Sequence, residues 1–292
     1  MRNEEPRLKF IKPMEPRLVM EPPLSDDWLH EIKYDGFRTQ LTRDWAGVRA
    51  FSRNGHDWSK RYWPVVDAGE KLPAKSFIID GEMIAPEPDG RPNFHAMHSR
   101  MTWNAEQLAF VAFDILHLDG RDLRALPAIE RKAILWGLVK PATAIIQYSQ
   151  HVEGGGDAFF DAVDKMDLEG VVSKRRESAY RSGPTDAWVK IKCWEIGEFE
   201  LLGIKREEGK RTEAIVARNG KYAGSPAISL TKEIRERLLK RVRDARPPEA
   251  AVPTAVAEGE IEWLSPGLKA TVRSLRGEAK LRHGSVKSIR EA

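Results

Sequence analysis

The sequence runs to 292 residues, 41% hydrophobic and 32% charged, with 48 Lys and Arg against 44 Asp and Glu and a formal charge of +4. That balance excludes a disordered or fibrous chain and gives length for one large or two ordinary domains. The sequence pI of about 9.0 is compatible with a nucleic-acid partner without requiring one. A single cysteine, Cys193, excludes an intrachain disulfide and suggests a reducing compartment. No cysteine and histidine set has zinc spacing, no apolar run is long enough to span a membrane, and Met1-Arg2-Asn3-Glu4-Glu5 lacks an apolar signal core, so the expected location is cytoplasmic.

In chain order, Pro6, Pro13, Pro16, Pro22 and Pro23 predict an extended arm. A strand is expected from Trp28 to Ile32, then a glycine-centred turn through Lys33-Tyr34-Asp35-Gly36, then a strand from Phe37 to Leu41. This places Lys33 at a sheet rim with Asp35 and Arg38 nearby. An amine becomes a nucleophile when burial or other cations lower its pKa; solvated charges on a strand-turn-strand explain the same stretch equally well. Gly47 to Phe51 reads as a strand ending in Ser52-Arg53-Asn54-Gly55, where Asn-Gly signals a tight turn and puts Arg53 at a strand end. Ser59 to Glu70 reads as a helix entered near Pro64.

Ser76 to Ala85 reads as a buried strand whose end carries Asp80 and Glu82 around Gly81. Carboxylates there are costly unless they meet a cation or ligand hydroxyls, which favours a site over a simple turn. Residues 85–102 read as a polar loop, and Ala109 to Leu116 as a second buried strand containing Phe113 and Asp114. Phe113 is a base-stacking platform or, as such residues more commonly are, a core phenylalanine. A helix is expected after Pro127 through Val139 with Ile129, Leu135, Trp136 and Val139 inward, then a strand near Ala144 to Tyr148, then a helix capped by Asp157 and running to Met166. Glu169-Gly170 feeds a strand, Val171 to Ser173, ending in Lys174 and Arg175. In Trp188 to Lys192, period-two alternation puts Lys190 and Lys192 on one face; an anion such as phosphate between them would relieve their repulsion.

The series Lys33-Tyr34-Asp35-Gly36-Phe37-Arg38, Ser52-Arg53-Asn54-Gly55, Asp80-Gly81-Glu82, Phe113-Asp114, Glu169-Gly170-Val171-Val172 and Val189-Lys190-Ile191-Lys192 resembles the covalent nucleotidyltransferases. Within them it is most similar to ATP-dependent DNA ligases, especially the ligase module of bacterial end-joining ligases. The motifs span about residues 28–192, more than half of the chain. The resemblance implies an α+β fold: an adenylation domain of antiparallel sheets with helices, over 1–196, followed by a small OB-type β-barrel over 197–292. It implies that Lys33 attacks the α-phosphate of ATP to form lysyl-AMP. It also implies nucleotide-binding roles for Glu31, Arg38, Arg53, Glu82, Phe113, Lys190 and Lys192. Among these, Phe113 would stack on adenine, Lys190 and Lys192 would meet the α-phosphate, and Arg53 the phosphate end of a nick. Glu169 and Glu82 would hold Mg2+ or Mn2+, and the surrounding cations would favour neutral Lys33.

The substrate implied is nicked or broken duplex DNA, with end-joining proteins as partners, no membrane and a monomeric state. Alternatives are an RNA ligase, a GTP-dependent capping nucleotidyltransferase, or a DNA-end-binding scaffold without catalysis. Beyond Gly197, strands are expected at Phe199 to Lys205, Glu213 to Ala217, Ala255 to Trp263 and Lys269 to Arg273, with a basic amphipathic helix from Thr231 to Ala245. The family's closing motif, a basic residue followed shortly by Asp and Lys, is not matched by Ser288-Ile289-Arg290-Glu291-Ala292. The resemblance therefore implies that adenylation is assisted less than the later steps.

Overall fold

Apolar β-branched and aromatic runs dominate the chain, and most of them become strands. The computed structural model describes residues 7–140, 145–207, 209–229, 231–239, 242, 252–253, 256, 261–276, 281 and 284–292. Tertiary contacts divide the chain into two units, Met1–Lys192 and Cys193–Ala292. The division falls a few residues before the boundary expected from sequence, because the strand that opens the second unit already starts at Trp194.

The first unit contains β1 (Met14–Leu18), β2 (Trp28–Ile32), β3 (Phe37–Asp44), β4 (Gly47–Ser52), α1 (Trp63–Gly69), β5 (Phe77–Ile84), α2 (Met97–Trp103), β6 (Ala109–Leu118), β7 (Arg121–Asp122), α3 (Ala128–Val139), β8 (Ile146–Tyr148), β9 (His151–Glu153), α4 (Gly156–Lys165), β10 (Gly170–Arg175) and β11 (Gly183–Lys192). They form two sheets, one ordered β1-β11-β10-β2-β9, the other β4-β3-β5-β6-β7 with β8 on β6. Pairing is antiparallel except for β1 with β11 and β6 with β8.

Alternation along β5 and β6 explains the layering. Ile79 and Ile115 enter the main core with Leu41, Phe77, Met83, Phe110 and Leu135. Ile78 and Leu116 point the other way, packing with Met14, Tyr180 and Trp188 of the first sheet's side. Each large apolar side chain so buried contributes about 1.5–3 kcal/mol.

Several helices depart from the sequence expectation. The helix expected from Ser59 is restricted to Trp63–Gly69, with turns before it. The expected loop at 85–102 contains α2, which buries Met97 and Met101 one helical turn apart. In α3 the inward residues are Ala128, Arg131, Lys132, Leu135, Leu138 and Val139, while Trp136 is exposed. α4 is capped by Gly155 in the left-handed region (φ 63°), not by Asp157, which sits in the first turn.

The second unit contains β12 (Trp194–Lys205), β13 (Glu213–Arg218), β14 (Lys221–Gly224), α5 (Lys232–Leu239), β15 (Ile261–Trp263), β16 (Leu268–Leu275) and β17 (Ser285–Glu291). Its sheet is ordered β14-β13-β12-β16-β17, with β15 on β12. Among the described residues no closed barrel is seen; the expected OB-type closure is replaced by single-residue bridges from Ala227 to Glu213 and to Ser285. The expected helix beyond residue 239, most of the strand expected at 255–263, and residue 144 of the strand expected before Tyr148 lie largely outside the described residues.

Candidate active site

The turn after β2 delivers Lys33 into a cleft of about 500 Å³. Gly36 is required there by close approach: a Cβ would lie 2.1 Å from the Met83 carbonyl oxygen. The Lys33 backbone N–H donates to the Gly170 carbonyl oxygen at 2.8 Å, tying the turn to the start of β10. Residue 170 has φ 154°, and a Cβ there would lie 2.0 Å from the Ile191 carbonyl oxygen. Glycine therefore lets Glu169 sit directly across from Lys33. The Lys33 ammonium ion-pairs with the Glu169 carboxylate, whose other oxygen takes Lys192 Nζ at 3.2 Å. The sequence suggested cations around Lys33; the structure adds an acid as its direct partner.

The predicted site residues converge on this cleft. Glu31, Lys33, Arg38, Arg53, Glu82, Phe113 and Lys190 all line it, and Glu169 and Lys192 join through their ion pairs. Lys190 and Lys192 share a face of β11, opposite buried Val189 and Ile191. Burial lowers the Lys190 pKa, and Lys33, Lys192 and Arg53 lower it further. Arg53, brought by the Ser52–His56 turn, is exposed and lies 3.5 Å from Glu15.

Arg38 is fixed on several sides. Its guanidinium donates to Asp80 at 3.1 and 2.6 Å and to the Met14 carbonyl oxygen at 2.6 Å. It also lies 5.3 Å from the Phe113 ring centroid. Burial would lower its pKa, but Asp80 raises it well beyond the usual arginine value. Glu82, paired across β3 with Arg38, is pushed up to about 8, chiefly by burial, with Glu169 and Asp80 adding to the rise and Lys33 and Arg38 opposing it.

Glu31 lines the cleft wall, but its carboxylate is engaged: Lys174 lies at 2.7 Å, Lys132 at 3.3 Å, and Ser149 donates to it at 2.7 Å.

A family model described as the ATP dependent DNA ligase domain matches residues 15–192. The chain belongs to the ATP-dependent DNA ligase family. The multifunctional non-homologous end joining protein LigD of Pseudomonas aeruginosa is 32% identical over 278 residues, covering 89% of this chain and 33% of that protein. The LigD end-joining repair protein of Mycobacterium tuberculosis is 30% identical over 281 residues, covering 91% and 36%. The chain thus spans about a third of the length of these curated relatives.

Among solved structures, the ligase domain of M. tuberculosis LigD matches with a TM-score of 0.61 at 29% identity, covering 95% of this chain and 94% of that one. The mycobacterial DNA ligase D complexed with ATP and MES matches with 0.59 at 27% identity, covering 96% and 94%.

Two residues that line this ligase-family cleft, Trp188 and Lys174, were missed as site components, as was Lys132, which pairs with cleft-lining Glu31 without lining the cleft itself. Trp188 read as an ordinary strand residue; it lines the cleft and packs edge-on against Phe113, with centroids 6.1 Å apart. Lys174 read only as part of the basic pair that ends its strand; it is buried, and it donates to the Phe113 carbonyl oxygen at 2.9 Å. Lys132 was overlooked on α3, although positions 128, 131, 132, 135, 138 and 139 form one helical stripe. Among the described residues no helix is long and apolar enough to cross a membrane.

Proposed function

We propose that this chain is an ATP-dependent DNA ligase that seals nicked or broken duplex DNA through a Lys33–AMP intermediate. The observation that carries the reading is the setting of Lys33, at a glycine turn, paired to Glu169 and flanked by Lys190 and Lys192 in the cleft. The Lys33 nitrogen forms a bond to the α-phosphorus of ATP while the bond to pyrophosphate breaks, and a proton leaves the nitrogen. AMP then passes to a DNA 5′-phosphate, releasing Lys33, and a 3′-hydroxyl displaces AMP to close the backbone. Phe113 stacks on the base, Arg38 and Glu82 serve the ribose side, Lys190 and Lys192 offset charge on the α-phosphate, and Arg53 meets the nick phosphate.

Glu82 and Glu169 would be the residues to hold a divalent cation, a role supported by the raised Glu82 pKa, which a nearby positive charge would lower. Bound there, Mg2+ or Mn2+ neutralises phosphate charge.

We further propose that the first unit, through Lys192, is the adenylation domain and the second, from Cys193, an OB-type domain, supported by the Ala227 bridges between β13 and β17. A role in end joining, with end-joining proteins as partners and the chain acting as a cytoplasmic monomer, rests on the LigD relatives and the lone buried Cys193. The test is intact mass after incubation with ATP and magnesium. The expected result is a gain of one AMP, absent in Lys33→Ala; a labelled Lys33→Ala protein would sink the assignment.

A further inference from the structure

Tyr180 sits in the loop between β10 and β11, outside every motif that carried the family resemblance. The loop is anchored from two sides. Its Ser178 carbonyl oxygen accepts from Arg131 of α3 at 2.8 Å, and the Tyr180 backbone N–H donates to the Arg124 carbonyl oxygen at 2.8 Å. The ring is buried in one cluster with Met14, Ile78, Leu116 and Trp188. A phenyl ring would fill that space equally well. The hydroxyl needs a reason of its own, since burying one costs free energy unless it is bonded.

A hydroxyl offers one donor and two acceptor positions, and all three are used here. The Tyr180 hydroxyl donates to Asp80 at 2.7 Å, accepts from the Met14 backbone N–H at 3.0 Å, and accepts from Arg38 Nη2 at 3.4 Å. These partners stand on β5, β1 and β3. Arg38 Nη1 donates in turn to the Met14 carbonyl oxygen at 2.6 Å, so both backbone polar groups of Met14 are held. Glu15 and Pro16, the next residues of β1, line the cleft. A guanidinium carries five N–H donors. Among the described residues, Asp80 takes one from Nε and one from Nη2, Tyr180 takes the other from Nη2, and Met14 takes one from Nη1. The donor left over is the second on Nη1, and Arg38 lines the cleft.

We infer that Tyr180 is a positioning residue: its hydroxyl closes the cage around Arg38 and so aims the remaining Nη1 donor at the nucleotide. This rests on the nucleotide-binding reading of the cleft and adds what fixes the direction of its arginine. Without the hydroxyl, the guanidinium keeps Asp80 but gains freedom to pivot about it, and a bond that depends on direction weakens.

The test is equilibrium binding of ATP to the full chain carrying Lys33→Ala, which forms no covalent adduct, as a double-mutant cycle over Tyr180→Phe and Arg38→Lys. Phenylalanine keeps the ring and its edge-on packing against Trp188. Lysine keeps the charge and loses the fork. Tyr180→Phe alone should weaken ATP about tenfold, the worth of one hydrogen bond to a charged group. On the Arg38→Lys background the same change should weaken it about twofold or less, because the group through which Tyr180 acts is gone. Urea unfolding of each variant reads folding separately. An unchanged ATP affinity in Tyr180→Phe, whatever its urea midpoint, overturns the inference. So does an equal loss on both backgrounds, which a general loosening of the cleft would give, and so does a Lys33→Ala parent that binds no ATP. Failure of the ligase reading shows separately, as absence of AMP mass on the wild-type chain.

Discussion

Asp80→Asn tests whether one buried ion pair holds both the fold and the cleft. Asp80 is inaccessible, with side-chain exposure of 1% against 14% for Arg38, and it also accepts from the Tyr180 hydroxyl at 2.7 Å. Removing one partner of a buried pair costs about 3–5 kcal/mol. Asparagine keeps the size and one neutral acceptor, which recovers about 1 kcal/mol, and Arg38 is reached by solvent from the cleft. The expected loss is therefore about 3 kcal/mol. Urea unfolding of the full chain reads it as a lower midpoint at constant slope in the transition of the first unit. A released guanidinium also loses its place 5.3 Å from the Phe113 ring, so the ATP concentration for half-maximal AMP labelling should rise about tenfold. Asp122→Asn is the control: its pair with Arg124 is exposed (43% and 55%), and its cost should stay under about 1 kcal/mol. A loss below about 1 kcal/mol for Asp80→Asn, with labelling unchanged, refutes the reasoning.

Glu82→Gln should change how stability depends on pH. With the folded carboxyl raised from 4.5 to about 8, the unfolded chain loses this proton first, so wild-type stability falls as pH rises through that window, and the variant lacks this slope; a constant difference between the two from pH 5 to 8.5, without divalent cation, argues against it. Gly36→Ala forces a Cβ to 2.1 Å from the Met83 carbonyl oxygen and should destabilise by about 2 kcal/mol or more while slowing lysyl-AMP formation; an unchanged melting temperature counts against the close approach. Nick binding should weaken linearly in logarithm with salt, by roughly 0.9 per neutralised phosphate, and filter binding from 50 to 200 mM salt that shows no slope removes the phosphate-contact reading.

What was legible in the sequence follows from range. β2, β5, β10 and β11 were readable because their signals are local: apolar runs, alternation, and glycines at turns or close approaches. The cleft residues were readable because each sits in a short motif at a strand end. The inward cations of α3 were not. Arg131 and Lys132 drew no reading from the sequence because their acids, Asp114 and Glu31, lie 17 and 101 residues away. α2 was hidden by its polar composition: its buried apolar cue is the i, i+4 pair Met97 and Met101, and Trp103 at its end is exposed. The cap of α4 was misassigned because Gly155, in the left-handed region, ends the loop before Asp157 is reached.

The charges at the cleft have a common geometry. Arg38 of β3 donates to the Met14 carbonyl oxygen of β1. Tyr180, between β10 and β11, donates to Asp80 of β5. Lys174 of β10 donates to the Phe113 carbonyl oxygen of β6. The first and third bonds join one sheet of the first unit to the other, the second ties the loop between β10 and β11 to β5, and each involves a cleft residue or the direct partner of one. Apolar contacts of Met14, Ile78, Leu116 and Trp188 already fill the same boundary. Buried ion pairs are commonly replaceable by apolar residues without loss of stability, so stability alone does not account for charges here. Apolar packing is non-directional, whereas a guanidinium or ammonium held by two or three acceptors fixes direction as well as distance. These cross-sheet bonds fix direction at the cleft where the two sheets meet, which the proposed attack of Lys33 on a phosphorus atom requires.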